Sequence, residues 1–212
     1  MSDIHGCCDK YIKMLEKINF SNNDNLYILG DIFDRGEEPL KILDHIVANK
    51  NIHLIKGNHE EMFMEAYEYS DYSLWYLNGG KTTYGRLLER GQDYIDSVYK
   101  YIKNLPLYMI VDNYILVHAD ILIPSRYSGL EEMLEITGEN TMLWSRSNIG
   151  NEKEHIKYKV VHGHTPVMNI KEDWNRIIKQ NGHYYIDCGC CFPKYKGRLA
   201  CLNLDTLEEY YV

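Results

Sequence analysis

The chain has 212 residues, 45 % of them hydrophobic and 25 % charged, the composition of one globular domain able to bury a full core. Only 15 Gly and 5 Pro exclude collagen-like and low-complexity classes, and a formal net charge of −8 argues against broad nucleic-acid binding, which needs a cationic surface. No run approaches the roughly 18 apolar residues of a membrane span, and no basic-then-apolar leader opens the sequence.

Ile12, Leu15 and Ile18 recur at helical spacing and predict a helix over residues 7–19, followed by a buried strand at Leu26–Leu29. Pro39 in a first turn, then Leu40, Ile42, Leu43, Ile46 and Val47, predict a second helix over 37–49. Ile52–Ile55 is the next strand. From about 60 to 104 the pattern is helical, rich in Tyr and Met and broken at Asn78-Gly79-Gly80, which reads as a cap over one end of a sheet. Leu107–Val111 and Tyr114–Val117 flank the turn Asp112-Asn113 and predict a hairpin. Val160-Val161, Tyr184–Ile186, Leu199–Leu202 and Glu209–Val212 supply later strands, expected to form mostly a β-meander. With no repeat or linker, one mixed α/β domain over 1–212 with two sheets is expected.

The six cysteines (Cys7, Cys8, Cys188, Cys190, Cys191, Cys201) match no extracellular disulfide framework, so free thiols in a reduced, cytoplasmic setting are expected. Cys188-Gly189-Cys190-Cys191 lacks the spacing of a zinc knuckle. The 19 tyrosines read as amphipathic filling rather than as a base-stacking platform.

Five polar clusters stand out, the last four each after an apolar run, where open α/β folds place their ligands: Asp3-Ile4-His5-Gly6, Gly30-Asp31-Ile32-Phe33-Asp34-Arg35-Gly36, Gly57-Asn58-His59-Glu60, Val117-His118-Ala119 and Gly163-His164-Thr165. Each except the fourth joins hard or borderline metal ligands to a Gly that permits close backbone approach. One Asp-x-His is weak evidence; five clusters in this order are not.

The set resembles the calcineurin-like metallophosphoesterase superfamily, in its phosphoprotein phosphatase branch, whose pattern is GDxHG, GDxxDRG, GNHE, HA and GHT. Here it stands as SDIHG, GDIFDRG, GNHE, VHAD and HGHT, spanning residues 2–165. The resemblance, which extends to symmetrical diadenosine tetraphosphatases, implies a four-layer β-sandwich flanked by helices, with two divalent metals at the sheet ends. It implies that Asp31 bridges the two ions, that Asp3 and His5 complete the first site, and that Asn58, His118 and His164 complete the second. A bridging carboxylate offsets the repulsion of two cations, and an all-N/O donor set suits Mn²⁺, Fe or Zn²⁺. A water shared between the ions is expected to lose a proton near neutral pH and attack phosphorus in line. His59, oriented by Asp34, is expected to protonate the leaving oxygen; Arg35 and Arg146, in Leu143-Trp144-Ser145-Arg146, are expected to hold phosphate oxygens.

The expected activity is hydrolysis of phosphoserine, phosphothreonine or a small phosphomonoester. A dinucleoside polyphosphate hydrolase is the alternative, with Lys81, Arg86 and Arg90 as basic candidates in the cap. A silent binding module would have lost a ligand or the acid pair, and none is lost. His162 is expected to pack or support, and His45, His53, His155 and His183 to be ordinary surface or satisfied core residues. Asp120 stands where the family commonly has Gly and is expected to add negative charge near the pocket.

The resemblance also implies a buried apolar strand before the Asp-x-His pair. Only Met1 and Ser2 precede Asp3, so that strand is expected to be missing. Unless something fills its place, Asp3 and His5 are expected on a frayed terminus, with the first metal held more weakly than the second.

Overall fold

The computed structural model describes residues 1–126, 128–155, 157–172 and 174–212. A βαβ unit opens the fold. Helix α1 (Cys8–Lys17) turns Tyr11 and Met14 inward, and strand β1 (Leu26–Ile28) comes next. Helix α2 (Pro39–Ala48), begun by the proline that fixes its first turn, buries Leu40, Ile42, Leu43 and Ile46 and leads into β2 (Ile52–Leu54). β2 lies parallel to β1, with Leu26 opposite Ile52.

The region read as a cap is four helices: α3 (Asn58–Tyr69), α4 (Ser73–Leu77), α5 (Lys81–Arg90) and α6 (Gln92–Lys103). Their tyrosines do pack: Tyr72, Tyr76 and Tyr84 surround the buried ring of Trp75. The expected basic candidates are engaged elsewhere. Arg90 pairs with Asp44 at 2.7 Å, Arg86 donates to the Glu37 carbonyl and to Glu89, and Lys81 lies over the Tyr76 ring.

The predicted hairpin is present as β3 (Tyr108–Val111) and β4 (Tyr114–Val117). Beyond β4 the chain departs from the expected meander. Helix α7 (Leu130–Trp144), broken by the left-handed Gly138, lies between β4 and β5 (Lys159–His162), and those strands are parallel. After the short α8 (Val167–Ile170) come β6 (Ile178–Gln180) and β7 (His183–Tyr185), and β7 pairs parallel with β5. The sheet order is β3-β4-β5-β7-β6. Strands β8 (Ala200–Leu202) and β9 (Glu209–Tyr211) form a separate antiparallel pair, giving three sheets rather than two among the described residues. The meander expectation failed because α7 carries an internal Gly and a run of Glu and Thr that hid its helical period.

Residues alternate across the five-stranded sheet as strand geometry requires. Ile115, Val117 and Val160 pack with Met133, Leu134 and Met142 of α7. Leu116, Val161 and Tyr185 face the other way, into a core shared with Leu29, Ile55, Ala200 and Leu202. A further core joins α1–α6 to the outer side of β1 and β2 through Ile28, Ile42, Phe63 and Trp75. The C-terminal ends of β1, β2, β4, β5 and β7 thereby converge. The N-terminus is not frayed: Met1 and Ser2 are buried, the Met1 amine donates to the Tyr27 carbonyl at 2.9 Å, and Leu29 N–H donates to the Met1 carbonyl at 2.9 Å.

Candidate active site

The loops leaving those strand ends are short and strained. Asp3, His5, Asp31, Asp34, Arg35 and His164 all have φ between 47° and 72°, a region that non-glycine residues rarely adopt. Backbone bonds over-determine them: His5 N–H reaches the Asp31 carbonyl at 2.9 Å, Gly6 N–H reaches Ile32, and Gly163 N–H reaches His118 at 2.8 Å. Two glycines leave room for the carboxylates. A Cβ on Gly57 would stand 2.3 Å from Asp31 Oδ1, and one on Gly163 would stand 2.4 Å from Asp3 Oδ2. Glu60, fully buried, holds the Asp31 loop by accepting from Asp31 N–H at 2.7 Å, Ile32 N–H at 2.9 Å and Gly57 N–H at 2.9 Å.

Asp31 is the hub. Its Oδ2 lies 3.7 Å from His5 Nε2 and 3.9 Å from His59 Nε2, and its Oδ1 lies 3.5 Å from His118 Nε2. It belongs to two groups of buried donors whose ligand atoms lie within 4.8 Å of one another, His5–Asp31–His59 and Asp3–Asp31–His118. Asn58 Oδ1 joins the second side, 2.9 Å from His118 Nε2 and 3.0 Å from His164 Nδ1. Asp3 Oδ1 and Oδ2 accept the His164 N–H at 3.1 and 3.0 Å.

These donors fit divalent cations. Burial, with Asp187 beside it, pushes the Asp3 carboxyl well above its usual range, and burial together with Asp3 and Glu60 does the same to Asp31. Burial pushes His5 well below its ordinary value, His118 down to about 3 and His164 down to about 2, so their imidazoles are neutral. His118 gives its Nδ1 proton to the Leu29 carbonyl at 2.7 Å, which leaves the Nε2 lone pair facing Asn58 Oδ1, one acceptor opposite another. His5 likewise gives Nδ1–H to the Phe33 carbonyl at 2.8 Å and turns Nε2 inward. Acidic oxygens that resist ionising alone and lone pairs that face one another are both relieved by a cation between them.

Beside this centre, His59 Nδ1 donates to Asp34 Oδ2 at 2.6 Å. Asp34 has no exposed surface and is held by Trp75 Nε1 at 2.8 and 3.0 Å and by the Thr83 hydroxyl at 2.6 Å. Helices α4 and α5, through Trp75 and Thr83, therefore brace the His59–Asp34 pair. The Arg35 guanidinium donates to His5 Nε2 at 2.5 Å and to His59 Nε2 at 3.0 Å, with Phe192 under it. Arg146 is exposed on the loop after α7, near enough to depress the pKa of both His118 and His164.

Every residue predicted for the site thus lies in or beside one cluster. The Asp120 carboxylate accepts from Ile121 N–H at 2.8 Å and Asn148 N–H at 3.3 Å, and so ties down the segment bearing Arg146. His162 packs as expected, giving Nδ1 to the Ala119 carbonyl at 2.7 Å and meeting His183 at 2.8 Å. All six cysteines are free. Sequence reasoning missed Asp187, which is buried at the end of β7 beside Asp3, with burial holding its carboxyl up at about 6. The signal was there: Tyr184–Ile186, an acid, then Gly189, the same apolar run, acid and glycine as the other clusters.

Among proteins of known description, a Salmonella typhimurium serine/threonine-protein phosphatase 1 is 27% identical over 203 residues, covering 91% of this chain and 86% of its own. Serine/threonine-protein phosphatase 2 of the same organism is 31% identical over 154 residues, covering 70% and 67%. A protein crystallised under a provisional assignment as a diadenosine tetraphosphatase shares the fold, with a TM-score of 0.67 at 19% identity over 100% of this chain and 90% of that one. Residues 1–188 match the model of calcineurin-like phosphoesterases, and the chain belongs to that family.

Proposed function

We propose that this phosphatase is a two-metal phosphomonoesterase of the serine/threonine phosphatase type. The observation that carries the reading is the position of Asp31, shared by both donor groups, as a carboxylate between two cations must be. By the family's ligand pattern, which divides the residues of those two groups differently and leaves His59 free, Asp3, His5 and Asp31 would hold one ion, and Asp31, Asn58, His118 and His164 the other, with an N/O set suited to Mn²⁺, Fe or Zn²⁺. Bound there, the ions supply Lewis-acid charge and an activated water.

The chain's own groups do the rest. Arg35 and Arg146 hold the phosphoryl oxygens and draw off the charge that builds on them. His59 presents Nε2 to the leaving oxygen, because Asp34 occupies Nδ1, and gives it a proton as the ester bond breaks. Asp34 stabilises the imidazolium that precedes this transfer. The phosphatase relatives support a phosphorylated protein as substrate, and a 25% identical tetraphosphatase from Anoxybacillus flavithermus keeps dinucleoside polyphosphates in the test.

With Mn²⁺ present, the enzyme should be offered p-nitrophenyl phosphate, phosphoserine and phosphothreonine peptides, bis-nitrophenyl phosphate and diadenosine tetraphosphate. Turnover of the nitrophenyl monoester and the phosphopeptides above the other two supports the proposal. Cleavage of diadenosine tetraphosphate alone overturns it.

A further inference from the structure

A groove of about 880 Å³ borders the site between two segments that carry none of the ligand residues. Pro166, Met168 and Trp174 stand on one wall, and Phe192, Lys194 and Lys196 on the other. Its inner end meets the reacting centre twice. The Arg35 guanidinium lies over the Phe192 ring, 5.4 Å from the centroid. Val167 N–H, between Pro166 and Met168, donates at 2.8 Å to the carbonyl of Asp187, the acid beside Asp3.

The wall that bears the lysines is built in advance. Lys10 Nζ donates to the Cys190 carbonyl at 2.7 Å and to the Gly197 carbonyl at 3.2 Å, which closes the loop between them. Phe192 N–H donates to the Gly189 carbonyl at 2.9 Å, and Gly197 N–H donates to the Phe192 carbonyl at 3.1 Å. Only glycine allows that closure, since a Cβ on Gly197 would stand 1.8 Å from the Gly189 carbonyl oxygen. Lys194 lies in the single 3₁₀ turn Pro193–Tyr195 that the loop holds up, and Lys196 follows it. The Arg198 guanidinium donates to the Asn175 carbonyl at 2.7 Å and ties this wall to the one opposite. A groove fixed this way loses little freedom when it binds.

Its chemistry is graded. Pro166, Met168 and Phe192 make the inner end apolar. Lys194 and Lys196 are exposed at the outer end, and neither has a carboxylate partner among the described residues, whereas Lys41, Lys103, Lys159 and Lys179 each have one. Lys171 adds a cation 4.0 Å above the Trp174 ring. Glu172 is the only acid among the described lining residues. A chain of net charge −8 thus keeps a cationic stretch at one end of the groove that leaves its active site. Such a local field draws in anionic groups and turns away cationic ones.

We propose that this groove selects phosphoproteins in which the phosphorylated residue is flanked by an apolar side chain and then by acidic ones. The apolar group rests against Met168 and Phe192, and the carboxylates lie on Lys194 and Lys196. The proposal rests on the phosphoprotein reading of the site and adds the sequence context that the site prefers.

The test measures kcat/KM, with Mn²⁺ present, for phosphothreonine peptides bearing Phe-Glu-Glu or Phe-Lys-Lys on either side of the phosphorylated residue. Each value is divided by that for nitrophenyl phosphate in the same variant. The native protein should favour the acidic peptide about tenfold or more on one side, and the gap should narrow as salt is added. Lys194→Glu combined with Lys196→Glu should abolish or invert that preference. Lys13→Glu combined with Lys50→Glu changes the net charge equally at exposed positions outside the groove, and should keep it. Equal values for acidic and basic peptides, a preference that survives the first pair of changes, or one lost equally in the second pair would overturn the proposal and leave the phosphoprotein reading in place. So would a loss in the first pair confined to diadenosine tetraphosphate, which would put a nucleotide in the groove. No turnover of any phosphopeptide, with nitrophenyl phosphate still cleaved, would overturn that reading itself and this proposal with it.

Discussion

Thr83→Val tests whether the helices after β2 hold the His59–Asp34 pair in place. The swap keeps the shape of a side chain with no exposed surface and removes only its hydroxyl. That hydroxyl donates to Asp34 Oδ1 at 2.6 Å and accepts from Asp34 N–H at 2.8 Å. Losing a hydrogen bond to a buried carboxylate costs about 1.5–3 kcal/mol, and a buried N–H left without an acceptor costs about 1–3 kcal/mol. Both fall on one residue and are not fully additive, so the sum is about 3 kcal/mol. For a chain of this size that lowers the melting temperature by roughly 6–12 °C. Thr82→Val is the control, because Thr82 is exposed and its hydroxyl makes only a 3.1 Å bond to the Gly79 carbonyl. Urea unfolding of the metal-loaded proteins, read with turnover of an alkyl phosphate and of nitrophenyl phosphate, makes the comparison. The Thr83 variant should also lose more of the alkyl rate, since a loosened Asp34 orients His59 less well. Equal stability of the two variants, within about 0.5 kcal/mol, would refute the reasoning.

Other perturbations separate binding from chemistry. His59→Asn should cut the rate on alkyl phosphates by roughly 10²–10⁴ while both metals stay bound, and cut it less for nitrophenyl phosphate, whose leaving group needs little protonation; equal losses on both would reject His59 as the acid. Arg35 donates to the same His5 Nε2 lone pair that a cation needs, so Arg35→Ala should tighten Mn²⁺ binding about tenfold in calorimetry while kcat/KM falls. Weaker binding in that variant would contradict the competition.

Local signals carried most of the site. Asp31, Asn58, His118 and His164 were legible because each follows an apolar strand and sits by a residue that lets backbones approach, and Asp3 and His5 because their Asp-x-His-Gly spacing heads the set; the fold had only to bring these segments together. Trp75 and Thr83 were not legible: they belong to α4 and α5, more than forty residues from Asp34 in sequence, and look like ordinary helix residues until the chain closes. Arg86 and Arg90 failed in the opposite sense, since a basic residue in a sequence does not reveal that a carboxylate such as Asp44 already holds it. The parallel pairing of β4 with β5 was hidden because crossover topology depends on a helix, α7, whose period is interrupted at Gly138.

The central claim is that Asp31 serves two ions at once. Titrating metal-free protein with Mn²⁺ while following spin coupling by electron paramagnetic resonance and hydrolysis of nitrophenyl phosphate tests it most directly. Two ions per chain with an exchange-coupled signal, activity rising with the coupled species, and loss of the coupling in Asp31→Asn are predicted. Full turnover by protein holding no metal, or full activity with a single uncoupled ion, would contradict it.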